Sequence, residues 1–172
     1  MVAYQVVYVV LHYLHDWFPN RVTRMLGSVN ESVYQHMKTG FFAIIIMAPV
    51  EYLLGRGGFA ATADFVLSRM FAATFLPLVM LVVYLLSPLV FVRIGSIAGE
   101  VVFANLALLA TSVSTFTIEA HLFRSAPSLH FKLVVAALFV ISLAQFHVFT
   151  GRLPWFDLFA QPPGWPEAKR RS

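Results

Sequence analysis

Five stretches of this chain are too apolar, over too great a length, to cover the surface of a water-soluble protein. A helix crosses the hydrocarbon core of a bilayer in about 20 mostly apolar residues. The runs are Met1–Trp17, Lys38–Leu54, Met70–Val92, Ile94–Ile118 and Leu133–Thr150. The first is short but carries no charge before Asp16; the third is uncharged throughout. Pro49 is placed to kink the second run, and Pro77 and Pro88 lie within the third. Breaks are expected at Gly55-Arg56-Gly57-Gly58, Ser87-Pro88, Arg124-Ser125-Ala126-Pro127 and Pro154. Gly95-x-x-x-Gly99 reads as a close helix contact. The expected fold is all-α, a polytopic transmembrane bundle of about five helices forming one domain over 1–160. A basic cytoplasmic tail follows over 161–172.

Charge places the chain against lipid rather than nucleic acid. Only 12% of residues are charged and 59% are hydrophobic, whereas soluble domains are about 25% charged. The net charge of +4 comes from Lys and Arg lying between and after the apolar runs, where headgroups meet them. With five spans, Arg21, Arg24, Lys38, Arg93, Arg152, Lys169, Arg170 and Arg171 fall on one side, against Arg56, Arg69, Arg124 and Lys132 on the other. The positive-inside rule then expects the N-terminus outside and the C-terminus in the cytoplasm. The first ten residues lack a basic n-region and a small-residue cleavage pattern, so no signal peptide is expected. The absence of cysteine excludes disulfides, thiolate metal sites and a Cys nucleophile. No nucleophile elbow, phosphate loop or dinucleotide fingerprint is present.

Ionisable side chains within such helices are costly, so each is expected to face the bundle or an interface. The topology sorts them into two layers. Near the cytoplasmic face lie His12, His15, Asp16, Asn30, Glu31, His36, Glu100, Asn105 and His147; near the outer face lie Glu51, Asp64, Arg69, Glu119 and His121. Gln5, Tyr8, His12 and Asp16 recur at helical spacing and form one stripe. Ser32, His36, Gly40, Ala43, Met47 and Glu51 form another. His36 and Glu51 share that face, but 15 residues of helix separate them by roughly 22 Å. His12, Asp16 and His36 can meet, because a short loop joins their helices.

The same residues have structural readings. Ser28-Val29-Asn30-Glu31 fits a capping box, with Ser28 capping the second helix and Glu31 bonding back. His12 with Asp16 fits a hydrogen-bonded pair at a helix end. Thr111, Ser112, Ser114, Thr115 and Thr117 fit hydroxyls bonded to carbonyls or neighbouring helices, and Arg69 fits an ion pair with Glu51 or Asp64. The density of imidazoles and acids around one turn, three histidines and two acids within 25 residues, also offers a ligand set for a metal, although His-x2-His-Asp is no established zinc motif. Two histidines and an acid suffice for zinc or another divalent transition ion, with a coordination position open to water.

The stretch Leu11-His12-Tyr13-Leu14-His15-Asp16-Trp17 precedes Gly27-Ser28-Val29-Asn30-Glu31-Ser32-Val33-Tyr34-Gln35-His36-Met37-Lys38. Together they resemble a bacterial family of small polytopic membrane proteins of unknown function. That family shows His-x3-acid-Trp closing its first helix and Val-Asn-Glu-Ser-x3-His-x-Lys opening its second. Glu51-Tyr52 and the segment Phe149–Phe159, with Leu153-Pro154 and Asp157, match more loosely; His15 beside Asp16 is a departure. The resemblance implies a five-helix fold in a bacterial inner membrane and groups His12, Asp16, Asn30, Glu31, Ser32 and His36. Ser32-x3-His36 with nearby Asp and His is also similar to membrane hydrolases of the alkaline ceramidase type, which hold zinc between helices. Those enzymes have seven helices and a late His-x3-His pair, where this chain has His147 alone.

Three functions follow as expectations. The first is a membrane-embedded, metal-dependent hydrolase or transferase acting on a lipid-like substrate at the cytoplasmic interface. There His12, His36 and His147 would hold a divalent metal such as zinc, and Asp16, Glu31, Ser32 and Asn30 would form the catalytic set. The second is a structural or partner-binding membrane protein. The third is a small proton-coupled carrier or channel, with Glu51 and Glu100 as titrating steps.

Overall fold

The computed structural model describes residues 2–55, 62–90 and 96–151. Six helices and no strand occur among them: α1 (Val2–Trp17), α2 (Arg21–Leu26), α3 (Val33–Leu53), α4 (Thr62–Val90), α5 (Ile97–Arg124) and α6 (Leu129–Gly151). The fold is therefore an all-α bundle, with one helix more than expected. The addition is α2, a six-residue helix inside the first loop. Arg93, Gly95, Pro154 and the basic tail lie outside the described residues.

The helices mostly outrun the apolar stretches that signalled them. α4 begins at Thr62, and α5 continues through Glu119 to Arg124, because the charges in these turns find partners. The expected break at Ser87-Pro88 does not occur, since α4 continues through Pro77 and Pro88 to Val90. The freed carbonyl of a helical proline is tolerated where the rest of the ladder holds.

Glycine and alanine set the closest approach. A β-carbon on Gly40 would lie 2.9 Å from Leu76 Cδ2 and 3.3 Å from Tyr4 Oη, so α1, α3 and α4 meet there. Ala72 and Ala73, both 0% exposed, give α4 the same small surface toward the core. Phe41 fills the space beside them, with ring centroids 5.3 Å from Phe42, 5.4 Å from Phe139 and 5.0 Å from Phe146. Tyr34 Oη donates to the carbonyl of Phe146 at 3.2 Å, joining α6 to the start of α3. α3 is thus central, packed on α1 and α4, while α4 also carries α5 and α6.

The outward surface is apolar. Leu85, Leu106, Leu133 and Val140 are each at least 60% exposed, an arrangement water would penalise. Three helical segments are long and apolar enough to cross a membrane: Thr62–Leu86, Ala98–Arg124 and Leu129–Gly151, with mean hydropathy 2.1, 1.8 and 2.1. These fit a membrane protein. α1, at 16 residues, is shorter than a bilayer crossing needs. α3 has 21 residues, but Gln35, His36, Lys38 and Glu51 dilute its apolar character.

Candidate metal centre

The first loop is built to press one acid against two histidines. Asn20 caps α2 by accepting from the Val22 and Thr23 amides at 2.9 and 3.0 Å, and Thr23 Oγ1 returns the bond to the Asn20 amide at 3.1 Å. Thr23 Oγ1 spends its own proton on the Phe18 carbonyl at 2.6 Å. His15 Nδ1, 3.1 Å from the same oxygen, is therefore the donor, and its ring is turned toward α2. Gly27 follows α2, and any β-carbon there would run into the Leu11 carbonyl. Glycine thus lets the returning chain lie directly on α1. Lys38, fully buried, donates from Nζ to the Arg24 carbonyl at 2.7 Å and holds the end of α2 to α3.

α3 is capped by Ser32, whose side chain accepts from the Gln35 amide at 3.4 Å. The capping box expected from Ser28 and Glu31 is not formed. Ser28 is buried and shares a 3.0 Å hydrogen bond with Thr39 on α3, which fixes the loop and moves the helix start four residues on. Asn30 Oδ1 accepts from the Ser32 amide at 3.0 Å, a local turn. Glu31 is left with its carboxylate facing inward rather than back along the chain.

That carboxylate meets both rings. Glu31 Oε1 lies 3.1 Å from His12 Nε2, and Glu31 Oε2 lies 3.5 Å from His36 Nε2. The two imidazole centroids are 5.0 Å apart. One ligand atom from each of His12, Glu31 and His36 falls within 4.8 Å of the others. Tyr8 stacks on His12 at 6.2 Å, and Tyr13 meets the same ring edge-on at 4.8 Å.

The hydrogen-bond roles are informative. His36 Nδ1 lies 2.8 Å from the Ser32 carbonyl, which can only accept, so Nδ1 carries the proton. In the neutral ring Nε2 then presents a lone pair to Glu31 Oε2, another acceptor. Two lone pairs facing each other require a proton or a cation between them. Burial and then the neighbouring His12 lower the His36 pKa below its ordinary value, despite the Ser32 and Glu31 contacts that raise it. Burial raises the Glu31 pKa, but the hydrogen bond and charge of His12 and the charge of His36 outweigh it, holding the carboxyl below its ordinary value. The His36 shift disfavours the extra proton on its ring, whereas the Glu31 shift keeps the carboxylate ionised beside the two imidazoles.

The remaining candidates are placed elsewhere. Asp16 is exposed, one turn beyond His12 on α1. Ser32 and Asn30 are engaged by backbone amides. His147 is exposed on α6 and is not part of the group.

A second ionic cluster closes the opposite end of α3. Arg69 donates from Nη1 to Glu51 at 2.8 Å and from Nη2 to the buried Glu119 of α5. Its guanidinium sits 5.6 Å from the ring centres of both Phe65 and Phe116. Asp64 is bound to Lys132 of α6 at 2.6 Å, so Arg69 takes Glu51 rather than Asp64. Glu119, 50 residues from Arg69, was not legible as its partner. Compared with protein-family models, with curated proteins and with solved structures, the chain finds no match.

Proposed function

We propose that this chain is a membrane-embedded hydrolase or transferase, with a divalent transition ion such as zinc held by His12, Glu31 and His36. One observation carries the reading: three ligand atoms on α1, the loop and α3 lie within 4.8 Å of one another. Two histidines and one carboxylate leave coordination positions for water and substrate. The bond from His36 Nδ1 to the Ser32 carbonyl is the kind of outer contact that orients a metal-binding ring.

Held by His12, Glu31 and His36, an ion of this class would lower the pKa of a bound water toward neutrality and would polarise a substrate oxygen. The chain's own groups do the rest. Ser32 and Asn30 fix the loop so that Glu31 stays aimed at the rings. The substrate is lipid-like and is met at the cytoplasmic interface, since the helices around the group expose apolar faces and the aromatic pair Tyr13–Trp17 to lipid.

The test is turnover in mixed micelles of fluorescent ester- and amide-linked lipids by zinc-loaded protein. His36→Ala and Glu31→Gln should each lower the rate by at least about a hundredfold. A wild-type rate no higher than that of either variant would remove the enzymatic reading. A structural reading is favoured by the His12–Glu31 distance alone, an ordinary hydrogen-bond length; it predicts a folded protein indifferent to metal.

A further inference from the structure

α5 leaves one of its polar groups facing lipid. It packs on α4 and touches α1 through the Gln5–Ser112 hydrogen bond and the Tyr4–Phe116 ring contact. Its exposed residues include Ala98, Val102, Asn105, Leu109 and Val113. At 3.6 residues per turn these five fall within an arc of about 80°. Four are apolar and are satisfied by lipid tails. Asn105 is not.

Asn105 stands seven residues past the start of the candidate span Ala98–Arg124, about 10 Å along the helix and so within a segment long and apolar enough to cross a bilayer. Its amide nitrogen donates to the Val101 carbonyl at 2.8 Å. The side-chain carbonyl and the second N–H have no partner among the described residues, and lipid offers neither donor nor acceptor. A carboxamide presents both functions side by side, so it is complemented in full by another carboxamide related by a two-fold axis. That chemistry selects a second copy of this chain over a cationic or purely apolar partner.

We propose that α5 pairs with α5 of a second copy, with the Asn105 side chains bonded across the axis. Ala98, Val102, Leu109 and Val113 pack around this contact as an apolar seam, and one buried asparagine in such a seam fixes its register. The pairing uses none of the residues of the proposed metal group.

The chain has no cysteine, which makes single-cysteine cross-linking unambiguous. In proteoliposomes, Leu109→Cys should form a disulfide-linked dimer under mild oxidation, while Val140→Cys, on the exposed face of α6, should not. Fluorescence energy transfer between separately labelled chains should show dimerisation weakened about tenfold in Asn105→Leu and retained in Asn105→Gln. Helical content by circular dichroism checks that each variant is folded. Equal cross-linking at both positions, none at Leu109→Cys, or unchanged dimerisation of folded Asn105→Leu would each overturn the pairing.

Discussion

The two ends of α3 carry ionic clusters of similar size that are solved in opposite ways. At the Glu51 end, outer in the expected orientation, every contact joins unlike charges: Arg69 lies between Glu51 and Glu119, and Lys132 faces Asp64. At the His36 end, inner in that orientation, three potential ligands converge, and with His36 neutral one pair consists of acceptors only. The outer cluster ties α3, α4, α5 and α6 together through ion pairs already made. The inner cluster is the one proposed above to take a cation. Ion pairs that join helices belong to the architecture, whereas an acid gathered with two histidines is a candidate for chemistry.

The contrast predicts unequal responses to mutation. Arg69→Ala leaves Glu119, 1% exposed, with an uncompensated charge, and should cost about 3–5 kcal/mol of stability. Unfolding in mixed micelles with increasing SDS measures it; a loss under about 1 kcal/mol would mean the outer cluster is not structural. Gly27→Ala drives a β-carbon against the Leu11 carbonyl, which cannot move aside as a side chain can. A cost of about 1–3 kcal/mol is expected, with loss of metal affinity as α1 and the loop separate. Equal stability with full affinity would show that the close approach at Gly27 does not position the site.

At the inner end the sign reverses. His36→Ala should lower metal affinity by about 10–100-fold or more while changing the stability of the metal-free protein by less than about 1.5 kcal/mol. Competition with a chromophoric chelator gives the first number and SDS unfolding the second. A large stability loss with unchanged affinity would make the inner cluster structural, like the outer one.

The smallest effect is on pH dependence. The folded-state pKa of His36 lies below its ordinary 6.5, so neutral His36 favours the folded state above that value. This contribution is lost as pH falls from 6.5 through the depressed value. Glu31, depressed below 4.5, contributes above 4.5 and loses its contribution as pH falls through its own lower value. The metal-free protein should therefore weaken modestly between pH 7 and 5, and His36→Asn should flatten that slope. A slope unchanged in the variant would assign it to other groups.

Hydropathy made the all-α bundle and its long helices legible, because lipid imposes one rule on every turn of a span. Helical spacing also placed His12 and His36 on stripes that a short loop joins. The role of Glu31 was hidden by its own context: Ser28-x-x-Glu31 has the form of a capping box, and only the tertiary bond from Ser28 to Thr39 shows that the cap is Ser32. α2 was hidden by its length, although Asn20-x-x-Thr23 carries the capping signal. The pairing of Arg69 with Glu119 joins helices whose register no local pattern sets. His147 shares the inner layer in sequence, but its side chain points outward from α6.

The metal content of the purified protein tests the central claim most directly. Elemental analysis after exposure to stoichiometric zinc and removal of free ion should find about one ion per wild-type chain. It should find almost none in His36→Ala, and a full complement in folded Asn105→Leu. Metal-free wild type, or equal zinc in wild type and His36→Ala, would contradict the assignment of His12, Glu31 and His36 as a metal centre.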